Sequence, residues 1–157
     1  MGFYDWVLAL HLLSAFAVAA SLVLFSVLVV GGRRMTTLDE TRALFRVAPI
    51  GTALIIGGTL LVLVFGVTLA LDSGYRGFHL WDPWIIAGIV LWAALGGIGQ
   101  RTGAYYTDVE RLARSSDAGT EAEVLARLRA PTGMNLHVAT IAVFLLILLD
   151  MIFKPGA

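Results

Sequence analysis

The chain is predicted to be an all-α integral membrane protein, an antiparallel four-helix bundle that crosses the bilayer four times. Two observations carry this. Hydrophobic residues make up 59% of the 157 positions and charged residues only 14%, and the mean hydropathy is +0.87, well beyond the composition of a soluble domain. The apolar residues also fall into four long runs, each of a length that spans roughly 30 Å of hydrocarbon as a helix. Four such spans use most of the chain, so a single transmembrane domain over 1–157 is expected.

The first run extends from Trp6 to Val30, apolar but for residues such as His11, Ser14 and Ser21, and stops at Gly31-Gly32-Arg33-Arg34. Ala17-Val18-Ala19 has the form of a signal-peptidase site. However, Met1 to Asp5 carries no Lys or Arg and the apolar run continues past it, so the segment is read as an anchor. Thr37-Leu38-Asp39-Glu40 has the capping-box spacing and predicts a short helix through Arg46. The second span follows over about 47–71, with Pro49 near its start and Gly51, Gly57, Gly58 and Gly66 offering small surfaces for helix contact.

Residues 72–83 form a turn-rich connection with aromatic residues suited to the headgroup level, and Pro83 opens the next helix. The third span covers about 84–100 and continues as a polar helix through Tyr105, Tyr106 and Leu112, until Ser115 to Gly119 breaks it. Thr120-Glu121-Ala122-Glu123 is a second capping-box candidate, opening an amphipathic helix that ends before Pro131. The fourth span covers about 134–153. Ala17 with Ser21, Ala93 with Gly97 and Gly99 with Gly103 are small-xxx-small pairs that suit helix contacts.

Net charge is zero by formal count, so no excess argues for nucleic acid, and charge informs through its placement. The connections after the first and third spans hold nine arginines: Arg33, Arg34, Arg42, Arg46, Arg101, Arg111, Arg114, Arg127 and Arg129. The other side holds Arg76 and Lys154. The positive-inside rule then makes the arginine-rich side cytoplasmic and puts both termini outside. The localisation expected is a bacterial inner membrane, with the lipid bilayer as first partner and other membrane subunits or a second copy as further ones.

Cysteine is absent, which removes thiolate ligands and thiol nucleophiles. No Walker loop, dinucleotide fingerprint, HExxH or nucleophile elbow occurs, so soluble-type catalysis has no support. The informative residues are the ionisable ones in the spans, because each costs roughly 2.5–3.5 kcal/mol at the bilayer centre. His11, five residues into the first span, lies roughly 7 Å below the outer end at about 1.5 Å per residue. Asp150 lies near the outer end of the antiparallel fourth span, so the two are expected to share a layer, which His79, Asp82 and Met151 can approach. A carboxylate that orients a histidine is a recurrent arrangement around metal and haem. The plainer alternative pairs Asp150 with Lys154 and gives His11 a neighbouring carbonyl. His137 lies at the cytoplasmic end of the fourth span, near Asn135, Gln100, Arg101 and Arg46. In a core of roughly 30 Å it is well over 10 Å in depth from His11 and cannot share a haem with it. It is expected to be a hydrogen-bonded interfacial histidine, and Trp81, Trp84, Trp92, Tyr105 and Tyr106 are expected to be belt and packing residues.

Leu10-His11-Leu12-Leu13-Ser14-Ala15 opening the first span, with Lys154-Pro155-Gly156 after the fourth, resembles a group of small bacterial inner-membrane proteins. The group comprises the membrane domain of copper-resistance D proteins, HemJ-type protoporphyrinogen oxidases and a related membrane family of unknown function. For the HemJ type, the resemblance implies haem b and activity tied to His11. Against this, the third span begins Trp84-Ile85-Ile86-Ala87 without the lysine expected there, and the fourth opens Gly133-Met134-Asn135 without the usual arginine. For the copper-resistance type it implies copper handling, but a Met-rich cluster is missing. Three readings stay open: an accessory subunit of a larger membrane bioenergetic complex, a haem b or redox-linked protein using His11, and copper handling at the outer face by His11, His79, Asp150 and Met151.

Overall fold

The computed structural model describes residues 2–71, 81–115 and 120–155. Among them are six helices and no strand: α1 (Phe3–Gly32), α2 (Leu38–Phe45), α3 (Ala48–Leu71), α4 (Pro83–Ser115), α5 (Glu121–Arg129) and α6 (Pro131–Phe153). Four helical stretches, built on α1, α3, α4 and α6, are long and apolar enough to cross a membrane. His79, most of the 72–83 connection, the proposed break at 116–119 and Gly156 lie outside the described residues.

The helix starts follow local chemistry. The Thr37 hydroxyl accepts from the Glu40 amide at 3.3 Å, while the Glu40 carboxylate accepts from the amides of Thr37 and Thr36 at 3.3 and 2.9 Å. These bonds satisfy donors that the first turn of α2 leaves open. At Thr120 the expected capping box does not form: the residue has helical rather than extended backbone angles (φ −102°, ψ −2°), and its side chain makes no cap bond. An N-cap side chain reaches the amides ahead of it only from an extended backbone. Pro131 occupies the first turn of α6, where its missing N–H costs nothing.

The four long helices pair as two antiparallel hairpins. Along α1 and α3, Leu24 and Phe25 meet Gly51, Ser14 and Val18 meet Gly58, and His11 meets Gly66. At Gly58 a Cβ would come within 2.9 Å of Val18 Cγ2 and 3.1 Å of the Ser14 carbonyl, so the backbones pack as closely as glycine allows. Where hydrocarbon surrounds the protein, such close packing supplies the cohesion that the hydrophobic effect supplies in water. Along α4 and α6, Gly133 faces Tyr105 and Tyr106, the hydroxyls of Thr102 and Thr140 lie 3.3 Å apart, and Gly88 faces Asp150 and Met151. The hairpins join through α1 and α6, where His137 Nε2 bonds Ser26 Oγ at 2.9 Å and Arg33 donates to the Ala130 carbonyl at 3.1 Å.

At the arginine-rich end, α2, α5 and the extension of α4 form a small apolar core of Leu38, Phe45, Val109, Ala113, Val124 and Leu128. Elsewhere large apolar side chains point outward all round, including Phe16, Ile50, Val64, Val90 and Ile152. That distribution suits lipid as the solvent.

Candidate functional site

Between α3 and α4 the bundle does not close. A hydrogen bond from Trp92 Nε1 to the Thr59 carbonyl at 3.3 Å bridges these helices. On the arginine-rich side of that bridge lies a cavity of about 840 Å³. Its walls are α1 at Leu22 to Val29, α3 from Ala48 to Leu60, α4 from Leu95 to Glu110, and α6 at His137 and Thr140.

Part of the α4 wall is bare backbone at glycine. Gly96, Gly99 and Gly103 recur along one face of α4, and a Cβ at any of them would meet nothing within 4 Å. The expectation that Gly99 and Gly103 form a helix contact is therefore corrected: these residues hold α4 away from filling the space. Gly97 likewise has open space where a contact was expected, whereas Gly51 and Gly58 do make the contacts anticipated for them.

The cavity is mainly apolar, with a few polar groups. His137 and Thr140 are both only 3% exposed overall yet part of the lining. Ser26 directs its proton to the Leu22 carbonyl at 2.7 Å, so its oxygen receives the Nε2 proton of His137. A neutral imidazole protonated on Nε2 keeps Nδ1 as an acceptor. His137 is thus hydrogen-bonded, as its sequence context suggested. Its partner, 111 residues earlier in the chain, was not foreseen. Gln100, Tyr106, Thr107 and Glu110 complete the polar lining toward the arginine-rich end.

The residues singled out at the opposite end occupy two places. His11 places Nδ1 3.1 Å from the Val62 carbonyl. A carbonyl only accepts, so Nδ1 carries the proton and Nε2 of the neutral ring is a bare base. Asp150 and Met151 lie over Gly88 on the other hairpin, where a Cβ would come within 3.3 Å of Asp150 Oδ2 and 2.7 Å of Met151 Cε. Asp150 Oδ2 is buried without a hydrogen-bond partner among the described residues. The contacts of Ser26 with His137 and of Arg33 with Ala130 set the register of α1 on α6. Among the described residues no hydrogen bond or ion pair joins His11 to Asp150. The ammonium of Lys154 lies 5.2 Å from the Trp84 ring centroid. Among the described residues no group of three or more His, Asp or Glu side chains is placed to hold a metal ion.

Compared with protein-family models, curated proteins and solved structures, the chain matches none.

Proposed function

We propose that this chain is a multi-pass membrane component that binds one largely apolar, amphipathic small molecule between its two helical hairpins, and that it acts as an accessory component of a membrane system. The cavity behind Gly96, Gly99 and Gly103 carries this reading. Its volume lies within the few hundred to about 1,000 Å³ typical of small-molecule sites, and its wall combines apolar surface with a few placed polar groups. The gap between α3 and α4 gives a ligand lateral entry from lipid. The arginine-rich end is assigned to the cytoplasm of a bacterial inner membrane. A single cysteine at Asp39 in this cysteine-free chain should therefore react with an impermeant maleimide only after the cells are opened; reaction in intact cells would reverse the orientation.

The test of binding is extraction and mass spectrometry of the chain purified in mild detergent. Native protein should retain a stoichiometric apolar molecule, and Gly103→Leu, which fills the cavity, should lose it. Equal retention by both would refute the site.

A second reading, that His11 serves as axial ligand to haem b, is supported by the Nδ1 bond to the Val62 carbonyl. Histidines that bind metals characteristically donate their other ring nitrogen in this way, which fixes the tautomer and exposes the ligating one. One nitrogen suffices for five-coordinate haem. A Soret band in the purified protein that disappears in His11→Ala would support this reading, and a colourless native protein would end it. Copper would need further donors, and His79 is the remaining histidine with which His11 would have to combine.

A further inference from the structure

Beside the cavity at the arginine-rich end lies a smaller pocket of about 230 Å³ lined by Arg42, Phe45, Arg46, Glu110, Ala113 and Arg114. Phe45 and Glu110 belong to both linings, so the two spaces adjoin. Three arginines and one glutamate line the smaller one; Asp39 pairs with Arg42 at 3.3 Å and Glu110 with Arg114, which leaves one positive charge in excess at the mouth of an apolar chamber. Two of the arginines are held in place: Arg42 Nε donates to the Ala113 carbonyl at 2.9 Å, and Arg114 is paired with Glu110. The Arg46 guanidinium makes no hydrogen bond or ion pair among the described residues, which leaves its five donors for a ligand.

The dimensions match this charge pattern. The α3 wall runs from Ala48 to Leu60, about 18 Å at roughly 1.5 Å per residue, close to one leaflet of a hydrocarbon core about 30 Å thick. A molecule held here would therefore have an anionic end at the arginines and a hydrocarbon part reaching about to mid-membrane. Basic pockets at the ends of transmembrane helices suit phosphate headgroups, and guanidinium matches phosphate geometry.

We infer that the occupant is an anionic glycerophospholipid drawn from the surrounding leaflet, its phosphate against Arg42, Arg46 and Arg114 and one acyl chain in the cavity along Gly103, Gly99 and Gly96. This rests on the binding reading above and specifies its ligand class.

The experiment is native mass spectrometry of the full chain in detergent, titrated with phosphatidylglycerol or phosphatidylcholine of identical acyl chains. The native chain should hold one phosphatidylglycerol at least tenfold tighter than phosphatidylcholine. Arg46→Gln breaks no side-chain hydrogen bond or ion pair among the described residues, and it should weaken phosphatidylglycerol about fivefold, the equivalent of roughly 1 kcal/mol per basic residue near a membrane surface, and phosphatidylcholine less, because its choline cation already offsets the phosphate charge. Gly103→Leu should lose both lipids while the protein stays monodisperse and helical. Equal affinity of the native chain for the two lipids would overturn the headgroup assignment and leave the cavity reading intact. A phosphatidylglycerol preference undiminished in Gly103→Leu would place the lipid on the outer surface and overturn both. Retention of a pigment, with neither lipid bound, would replace the lipid by that pigment and keep the cavity.

Discussion

Glycine does opposite work at two interfaces of this molecule. Along the α1–α3 seam, Gly51, Gly58 and Gly66 each have an α1 side chain or backbone atom where their Cβ would be. Across the α3–α4 gap, Gly96, Gly99 and Gly103 have nothing there. The first set draws helices together, and its missing side chains are replaced by neighbouring atoms. The second set keeps space, and its missing side chains are replaced by whatever enters from the membrane. A small-xxx-small pattern is thus a statement about room, and only the partner helix decides whether the room is filled.

The largest predicted effect is on the filled side. Gly58→Leu must push against Val18 and, less forgivingly, against backbone atoms of Ser14 and Val18, so relief requires moving α1 away from α3 along its length. Overpacking of this kind typically costs about 1–3 kcal/mol, and a rigid backbone neighbour places this case at about 3. A strongly lowered midpoint in detergent-titration or thermal unfolding should show it. A midpoint within error of native would mean that the seam is looser than described and would remove one half of the comparison.

Trp92→Phe probes the bridge across the gap. It removes the donor to the Thr59 carbonyl, a loss of about 1 kcal/mol for one hydrogen bond. The structural consequence is more diagnostic, since α3 and α4 lose the bond that ties them. Spin labels at Ile56→Cys and Gln100→Cys should report a longer and broader distance distribution in Trp92→Phe than in the tryptophan background. An unchanged distribution would show that the gap is held open by other means.

Ser26→Ala tests the seam between hairpins. It leaves the Nε2 proton of His137 without its partner, and polar contacts between membrane helices average about 0.6 kcal/mol. Unfolding should therefore shift modestly, far less than for Gly58→Leu. An effect as large as that of Gly58→Leu would mean that the hairpins depend on this one contact more than on their packing.

The contrast between seam and gap also shows what the sequence could reveal. Four spans were legible because runs such as Trp6 to Val30 are too long and too apolar for water, and the α2 start was legible because Thr37 and Glu40 carry a reciprocal pair of acceptors. The cavity was not legible. In a water-soluble helix the polar face tells which side is buried, but the α3 and α4 spans are apolar nearly all round, so neither Gly58 nor Gly99 announces what it faces. The two capping-box candidates show a related limit: Thr37 and Thr120 have the same spacing to glutamate, and the backbone angles at Thr120 alone cancel its cap. His11 and Asp150 were assigned to one layer by counting residues from the helix ends. Which carbonyl His11 would choose, Val62 of α3, depends on helix rotation that no such count contains.

The smallest predicted effect on stability, Gly103→Leu, is the most informative about the gap. With no atom within 4 Å of its Cβ, the new side chain enters open space, and leucine is a better helix former than glycine. The unfolding midpoint should stay the same or rise slightly, within about 0.5 kcal/mol, as for substitutions away from packed features. The same leucine occupies the chamber lined by His137 and Thr140, so retention of an apolar ligand should fall sharply while stability holds. The separation of these two readouts is what a preserved cavity requires. If Gly103→Leu instead destabilised the chain as Gly58→Leu does, α4 would have to be packed against α3 in the membrane, and the two sets of glycines would be doing the same work.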